Sequence, residues 1–336
     1  MELKQKIQDV YNINVKNLKF VPVGEFASSY IVTTEEKGKY FLKLYFPSRL
    51  KNQENHKLDF SLEVVHQLYH AQGIKHISYP IKTVKGNLKS QFQEAEMVLW
   101  NYIEGKITSE KKSKTTIFLN KISALLAQIH DSTEYLKFQD KFLFNLDLSF
   151  KDDLLLCLRE IAACTKSTDK TFLRLKNLIT PLMNDILQSL TYLEEITQNL
   201  KNESPQDYVV CHNDPIRHNI LLNKQDEIFL VDWDSAYFAP FEKDIWFYLN
   251  QKNFPSFKQK YKEIRESANL NEEIVVYLFY ERVLADLTDW VYRILFEESD
   301  PMQVKSDFQG LDEDVIPFLP NMIKVEKDLR QRAKEW

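Results

Sequence analysis

Apolar positions along the chain repeat with two different periods, and the change falls near Gly105. Residues 2–12 have the spacing of a short helix. LKFVPV (18–23), SYIVTT (29–34) and KYFLKLYF (39–46) then read as strands separated by turn-like GEFAS and EEKGK, which predicts a three-stranded antiparallel start. Residues 54–72 place Leu58, Leu62, Val65, Leu68 and Tyr69 on one helical face that stops at Gly73. Short strands at 80–85 and 88–93, and AEMVLWNYI at 95–103, complete a β-rich segment. Beyond Gly105 the period becomes helical: Ile117, Leu119, Ile122, Leu125, Leu126 and Ile129 share a face in 114–131. Further helices fit 151–164, 168–201, 255–268, 272–298 and a stretch near 318–335. The pattern predicts an α+β fold. A β-rich lobe (1–104) joins a larger helical lobe (105–336) through one crossing near 99–106.

One stretch breaks the helical texture: VVCHNDPIRHNILLNKQDEIFLVDWD, residues 209–234. ILL (220–222) and IFLV (228–231) read as a hairpin joined by NKQDE. Around it stand His212, Asp214, Asn219, Asp232 and Asp234. A hairpin needs no such collection of polar groups, so the stretch reads as a binding site.

Composition narrows what could bind. The 336 residues give a prior of about two domains. A net charge of −5 disfavours a nucleic-acid partner. The three cysteines, Cys157, Cys164 and Cys211, are too few and too scattered for a disulfide framework, and no CxxC or His/Cys cluster suggests zinc. No apolar run approaches the ~18 residues of a membrane span, and the charged, amphipathic start is unlike a signal peptide. These features predict a cytoplasmic protein with no membrane partner. GxxxxGK[ST] and GxGxxG are both absent.

The hairpin residues suit phosphoryl transfer. A carboxylate, a carboxamide and a second carboxylate on adjacent loops make a hard-oxygen site of the kind Mg²⁺ prefers, and the remaining carboxylate can accept a hydroxyl proton. Lys43 lies inside the apolar strand YFLKLY, where pairing with nucleotide phosphates would explain it. Asp59 and Glu63 lie one helical turn apart on the next helix, where one of them could hold Lys43. Gly24-Glu25-Phe26-Ala27-Ser28-Ser29 lies between the first two strands, where a phosphate-covering loop belongs.

Several of these stretches together resemble the aminoglycoside phosphotransferase family, of protein-kinase-like fold. They are VGEFASSYIVT, YFLKLY, LLAQIHDS and the VCHNDPIRHNILL and IFLVDWDSA pair; YLFYERVLADLTDW looks like a helix of the spectinomycin-type members. The resemblance implies a bilobal protein-kinase-like fold and an ATP- and Mg²⁺-dependent transfer to a hydroxyl of a small-molecule acceptor, foremost an aminoglycoside or an aminocyclitol such as spectinomycin. It implies Asp214 as catalytic base, Asn219 and Asp232 as Mg²⁺ ligands, and Lys43 on the ATP phosphates. Ser28 and Ser29 would lie near the terminal phosphates, and the backbone of Asn101, Tyr102 and Ile103 would read adenine. Two departures stand out: HNDPIRHN lacks the glycine usual in this segment, and Ile216 stands where protein kinases carry a lysine.

The same residues admit other roles. Asp214 could cap a turn with Pro215 at its first helical position, and Lys43 could snorkel from an edge strand. Asp286 and Asp289, three residues apart on one helical face, could meet an acceptor ammonium group or simply pair with Arg282 and Arg293. A metabolic kinase acting on choline or homoserine is an alternative, for which Trp246, Tyr248, Trp290 and Tyr292 are candidate cage residues. A nucleotide-binding pseudokinase is another.

Overall fold

A computed structural model of the chain describes residues 2–22, 27–46, 54–138, 142–163, 169–202, 208–297 and 301–336. The chain forms two compact units, residues 1–144, 207–247 and 251–268 in the first, and 145–206, 248–250 and 269–336 in the second. The expected division after residue 104 falls within the first unit.

In that unit β1 (Val15–Val21), β2 (Ala27–Thr34), β3 (Lys39–Tyr45), β4 (Ser90–Phe92) and β5 (Ala95–Asn101) form an antiparallel sheet in the order β1-β2-β3-β5-β4. The expected antiparallel start is β1 to β3. Directly paired residues share a face of a sheet. Tyr30, Leu42 and Leu99 therefore line one face, and Ser29, Lys43 and Val98 the other. The first face is covered by the helix Leu3–Tyr11: Ile7 and Tyr11 bury against Val32, Leu42, Leu44, Met97 and Leu99. Each fully buried aliphatic side chain here contributes about 1.5–3 kcal/mol. The Tyr11 hydroxyl accepts the Leu99 N–H at 3.2 Å and donates to the Met97 carbonyl at 3.4 Å. Lys43 is thus on the face opposite this core.

Below the sheet, β6 (Lys106–Ile107), β8 (Ile220–Leu222) and β9 (Ile228–Leu230) pair in the order β6-β8-β9, and β7 (Tyr208–Cys211) pairs with β10 (Tyr237–Pro240). The expected hairpin is β8–β9, with Ile220 opposite Leu230. Its turn is held by the Asn223 side chain, which accepts the Gln225 and Glu227 N–H groups at 2.9 Å each. The crossing strand runs close to this hairpin: a Cβ on Gly105 would lie 3.0 Å from the Leu222 carbonyl oxygen. The helix Thr116–Asp131, capped by Thr115, packs on the helix Phe254–Lys262, where Ser123 Oγ donates to the Phe257 carbonyl at 2.6 Å.

The second unit is helical. Glu272–Phe296 packs against Lys151–Ala163, Met183–Lys201 and Met322–Lys334. A polar knot ties three of these: Glu326 accepts from Tyr192 at 2.8 Å, Tyr280 at 3.0 Å and Arg330 Nε at 2.8 Å.

Several expected elements differ. The helix expected over 168–201 is two, Lys170–Ile179 and Met183–Lys201. Pro181 falls between them, and proline lacks the N–H and clashes with the preceding turn of a helix. Ile117 is 72% exposed while Phe118 is buried, because Phe118, Ile122, Leu125 and Ile129 are in phase and Ile117 is not. The stretch 80–85 forms only a bridge between Pro80 and Trp100. The helix expected over 255–268 ends at Lys262, and the last begins at Met322, after Pro320. The pair β7–β10 and the helix Pro301–Gly310 are additions.

Replacing Gly105 with alanine is expected to lower stability by about 1–3 kcal/mol, the usual cost of overpacking. The neighbour that must yield is strand backbone rather than a flexible side chain. Urea unfolding of the parent and Gly105→Ala measures this, and equal midpoints would show that the crossing has room to spare.

Candidate active site

The site is built where β7 ends and the hairpin begins. After Cys211 the chain turns through Asn213, whose φ of 71° lies in the left-handed region. A buried carboxylate fixes this turn: Asp244 accepts the His212 N–H at 2.9 Å and the Asn213 N–H at 2.6 Å. Asp244 also accepts from His130 Nε2 at 3.0 Å, and Tyr261 donates to His130 Nδ1 at 2.7 Å. Burial lowers the His130 pKa despite Asp244, and raises that of Tyr261, so a neutral ring with a proton on Nε2 fits both bonds. His130 is therefore a packed helix-end residue with a defined task.

Cys211 joins His130 and Asp244 in a buried group of metal-ligating types. Their hydrogen bonds occupy them otherwise. The polar atoms of His130 and Asp244 are committed as above, and burial pushes the Cys211 thiol well up, towards its protonated form.

The turn delivers Asp214, half-buried, to the mouth of the hairpin. Asn219 Nδ2 donates to the Asp214 carbonyl at 2.9 Å and to its Oδ2 at 2.8 Å. The five-residue spacing thus closes a loop on itself, and the bonded amide nitrogen turns Asn219 Oδ1 away from Asp214. The Val231 N–H donates to the Asn219 carbonyl at 2.9 Å, which sets the end of β9 beside this loop. His212 Nε2 donates to the Val231 carbonyl at 2.9 Å, while its Nδ1 accepts the Asp214 N–H at 3.3 Å. Both ring nitrogens of His212 are thus engaged with local backbone.

Asp232 follows, with φ 66°. Lys43 Nζ donates to Asp232 Oδ1 and to Asp234 Oδ2, at 2.7 Å each, and Tyr45 donates to Asp234 Oδ1 at 2.8 Å. Burial penalises the Lys43 ammonium, yet Asp232 and Asp234 outweigh it and raise its pKa. Burial also opposes ionisation of Asp232, but Lys43 prevails and lowers its pKa. Burial raises the pKa of Asp234 in spite of Lys43, and the neighbouring Asp232 charge adds to the rise. The Asp232 side chain is 43% exposed and that of Asp234 20%, so Asp232 is the outward carboxylate of the two.

The expected partners of Lys43 are elsewhere. Asp59 pairs with Lys89 at 2.8 Å, and Lys89 pairs in turn with Glu96 at 2.8 Å. Glu63 accepts from Gln67 at 3.4 Å. Asp59 and Glu63 line a cavity of about 780 Å³ together with His66, Lys82 and Lys89. The expectation that one of them holds Lys43 is corrected: two donors of the ammonium go to Asp232 and Asp234, and Lys89 draws Asp59 instead.

Ser29 is buried and directly opposite Lys43, whereas Ser28 is opposite Leu44 on the face covered by the first helix. Only Ser29 therefore shares a face with Lys43. Gly24, Glu25 and Phe26 of the expected phosphate loop lie outside the described residues. Asn101 ends β5; its N–H donates to the Tyr79 carbonyl at 3.0 Å and its Oδ1 accepts the Tyr79 N–H at 2.7 Å. Tyr102 lies under Lys39, with 5.2 Å from Nζ to the ring centre, and Ile103 is half-buried.

In the second unit Arg282 Nε donates to Asp286 at 2.7 Å, as the simpler pairing anticipated. Arg293 pairs with Asp307 at 2.8 Å, and Asp289 is exposed. Burial pushes the Asp286 pKa up to about 6; Arg282 pulls against this, while Asp289 and Glu281 add to it. Of the candidate cage residues, Tyr292 packs on Phe296 and Trp290 lies against Gly310.

Asp244 and Tyr45 are the residues around this loop pair that sequence reasoning passed over. Asp244, in FEKDIW, carries no motif signal. Tyr45 was legible as a polar-tipped residue two along from Lys43 on the same strand face.

The donor set suits a magnesium ion: one outward carboxylate, one carboxamide oxygen and no sulfur or imidazole. The chain's fold is similar to that of spectinomycin phosphotransferase APH(9)-Ia in complex with ADP and spectinomycin (TM-score 0.77, 21% identity, covering 98% of this chain and 98% of that one). It is also similar to an aminoglycoside phosphotransferase from Alicyclobacillus acidocaldarius (TM-score 0.57, 13% identity, 100% and 98%) and to choline kinase from Cryptosporidium parvum (TM-score 0.55, 14% identity, 95% and 92%). No curated protein matches the sequence. The model of the phosphotransferase enzyme family matches residues 17–273, and with a kinase-like α+β fold around this loop pair the chain belongs to that family.

Proposed function

We propose that the chain transfers the γ-phosphate of ATP to a hydroxyl of a small cationic molecule, with an aminocyclitol such as spectinomycin the first choice. The observation that carries the phosphoryl-transfer reading is the Asn219 amide clasping Asp214, beside a loop whose two carboxylates hold Lys43. The acceptor class is supported by the likeness to the spectinomycin enzyme over nearly the whole of both chains.

In this reading Asp214 accepts the proton of the acceptor hydroxyl as its oxygen attacks the γ-phosphorus. The new O–P bond forms, the bond to the β-phosphate oxygen breaks, and ADP leaves. Asn219 keeps the Asp214 carboxylate oriented through that transfer. Asp232 and Asn219 Oδ1 would hold Mg²⁺, which supplies charge neutralisation at the phosphates. Lys43 adds a fixed positive charge from the sheet, held in place by Asp234 and Tyr45, and Ser29 lies on the same face. The backbone at Asn101–Ile103 would receive the adenine. Catalysis is then mostly positioning and preorganised electrostatics. As a division of labour, residues 1–104 bind nucleotide and 105–336 supply the catalytic and acceptor groups.

Asp286 and Asp289 are the proposed contacts for an acceptor ammonium. A choline-like acceptor is the second reading, favoured by the likeness to choline kinase. It requires a ring cage that the described contacts of Trp290 and Tyr292 do not themselves form.

Asp214→Asn is expected to lower kcat for spectinomycin phosphorylation by about 10²–10⁴, the usual worth of a general base, with ATP binding nearly unchanged. A coupled ADP-release assay checks this. Turnover of choline or homoserine with every aminocyclitol and aminoglycoside ignored would replace the acceptor assignment.

Asp232→Ala is expected to abolish the Mg²⁺-dependent part of nucleotide affinity, and Asp234→Ala to weaken it only partly, since Asp234 acts through Lys43. Calorimetric titration with an ATP analogue separates the two, and parental affinity in Asp232→Ala would refute the ligand assignment.

The third expectation concerns pH. Asp286, with its pKa raised to about 6, is protonated below that value and charged above it. Affinity for a cationic acceptor is expected to strengthen as pH rises through about 6, and this step is expected to vanish in Asp286→Asn. A KM–pH profile with the same step in both proteins would remove Asp286 from the acceptor site.

A further inference from the structure

The residue before the proposed base is an asparagine where family resemblance leads one to expect glycine. Its φ of 71° is one that glycine adopts freely and asparagine tolerates. Asn213 is 5% exposed, and its side chain is fully engaged on one end. Nδ2 donates to the Cys211 carbonyl at 3.2 Å and to the Ser235 carbonyl at 2.7 Å. Both partners are carbonyls, so the amide orientation is determined. Oδ1 is buried with no hydrogen-bond partner, a cost that glycine would avoid.

The position of the acceptors gives that cost a purpose. Ser235 directly follows Asp234. Val231, whose carbonyl accepts from His212 Nε2 at 2.9 Å, directly precedes Asp232. Two adjacent side chains just before Asp214 therefore fasten both ends of the Asp232–Asp234 segment, and Asn213 makes the fastening on the Asp234 side.

We propose that Asn213 is a positioning residue whose amide sets the Asp232–Asp234 segment against Asp214, and so fixes the geometry in which Asp232 meets Mg²⁺. The inference rests on the proposed roles of Asp214 and Asp232. A bond that served folding alone would change stability without changing how metal and nucleotide binding are linked.

The experiment is calorimetric titration of the full chain with AMP-PNP, with and without saturating Mg²⁺, and circular dichroism of each protein without metal. Asn213→Gly keeps the left-handed backbone and removes the amide. It is expected to lose about tenfold or more of the Mg²⁺-dependent gain in affinity, in the range seen when groups that orient metal ligands are removed, with metal-free affinity within about twofold. Asn213→Asp retains the shape but has no N–H to donate, and is expected to lose the gain as well; it decides the matter if the glycine variant does not fold. A parental gain in either folded variant overturns the proposal. A parent with no Mg²⁺-dependent gain instead overturns the metal assignment of Asp232 itself, so the two failures are told apart.

Discussion

The geometry of the site depends on one buried carboxylate. Asp244 is fully buried and takes hydrogen bonds from the His212 N–H, the Asn213 N–H and the His130 ring. A buried charge without partners is strongly unfavourable, by several kcal/mol, so the three donors and the carboxylate require one another. The chain can then leave β7 in only one direction. That direction makes the left-handed turn at Asn213 and presents Asp214 to Asn219. The neighbours of Asp244 are anchored in turn, His130 by Tyr261 and Tyr261 by Arg265 at 3.1 Å.

Lys43 makes the second connection, between the upper sheet and the lower loops. It is the only sheet residue reaching both carboxylates in the described contacts, and strand register puts it on the face away from the apolar cluster. A long cationic side chain on a sheet face, 12% exposed, needs compensation. Asp232 and Asp234 supply it, with Tyr45 orienting the inner of the two. The helix carboxylates Asp59 and Glu63 are engaged elsewhere. The lysine is thus positioned from the loop that also carries the proposed metal ligand, which links the two parts of the proposed phosphate site through a single ammonium.

The transfer chemistry and the acceptor stand on different footing. Transfer chemistry requires particular side-chain types at short spacings in one loop pair, and that pair lies within the residues 17–273 that the family model matches. Recognition of an acceptor needs only a few charges and rings on helices, and many helices carry these for packing. Asp286 illustrates this: it pairs with Arg282 like an ordinary helix residue, yet burial leaves its carboxyl titrating near 6.

The pattern of apolar residues by itself determined the α+β class, the antiparallel start, the β8–β9 hairpin and most helices, because those depend on local period and turn chemistry. The five-residue spacing of Asp214 and Asn219 determined that these two would meet, and the hairpin returns the chain so that Val231, just before Asp232, donates its N–H to the Asn219 carbonyl. Tertiary structure alone decided the partner of Lys43, the work of Asp244 and the pairing of β7 with β10. Each joins residues separated by tens or hundreds of positions, where no period operates and where competing carboxylates are equally plausible in sequence. It also decided the use of Asn213: left-handed backbone and two carbonyl acceptors become visible only when Cys211 and Ser235 are brought to the same side chain.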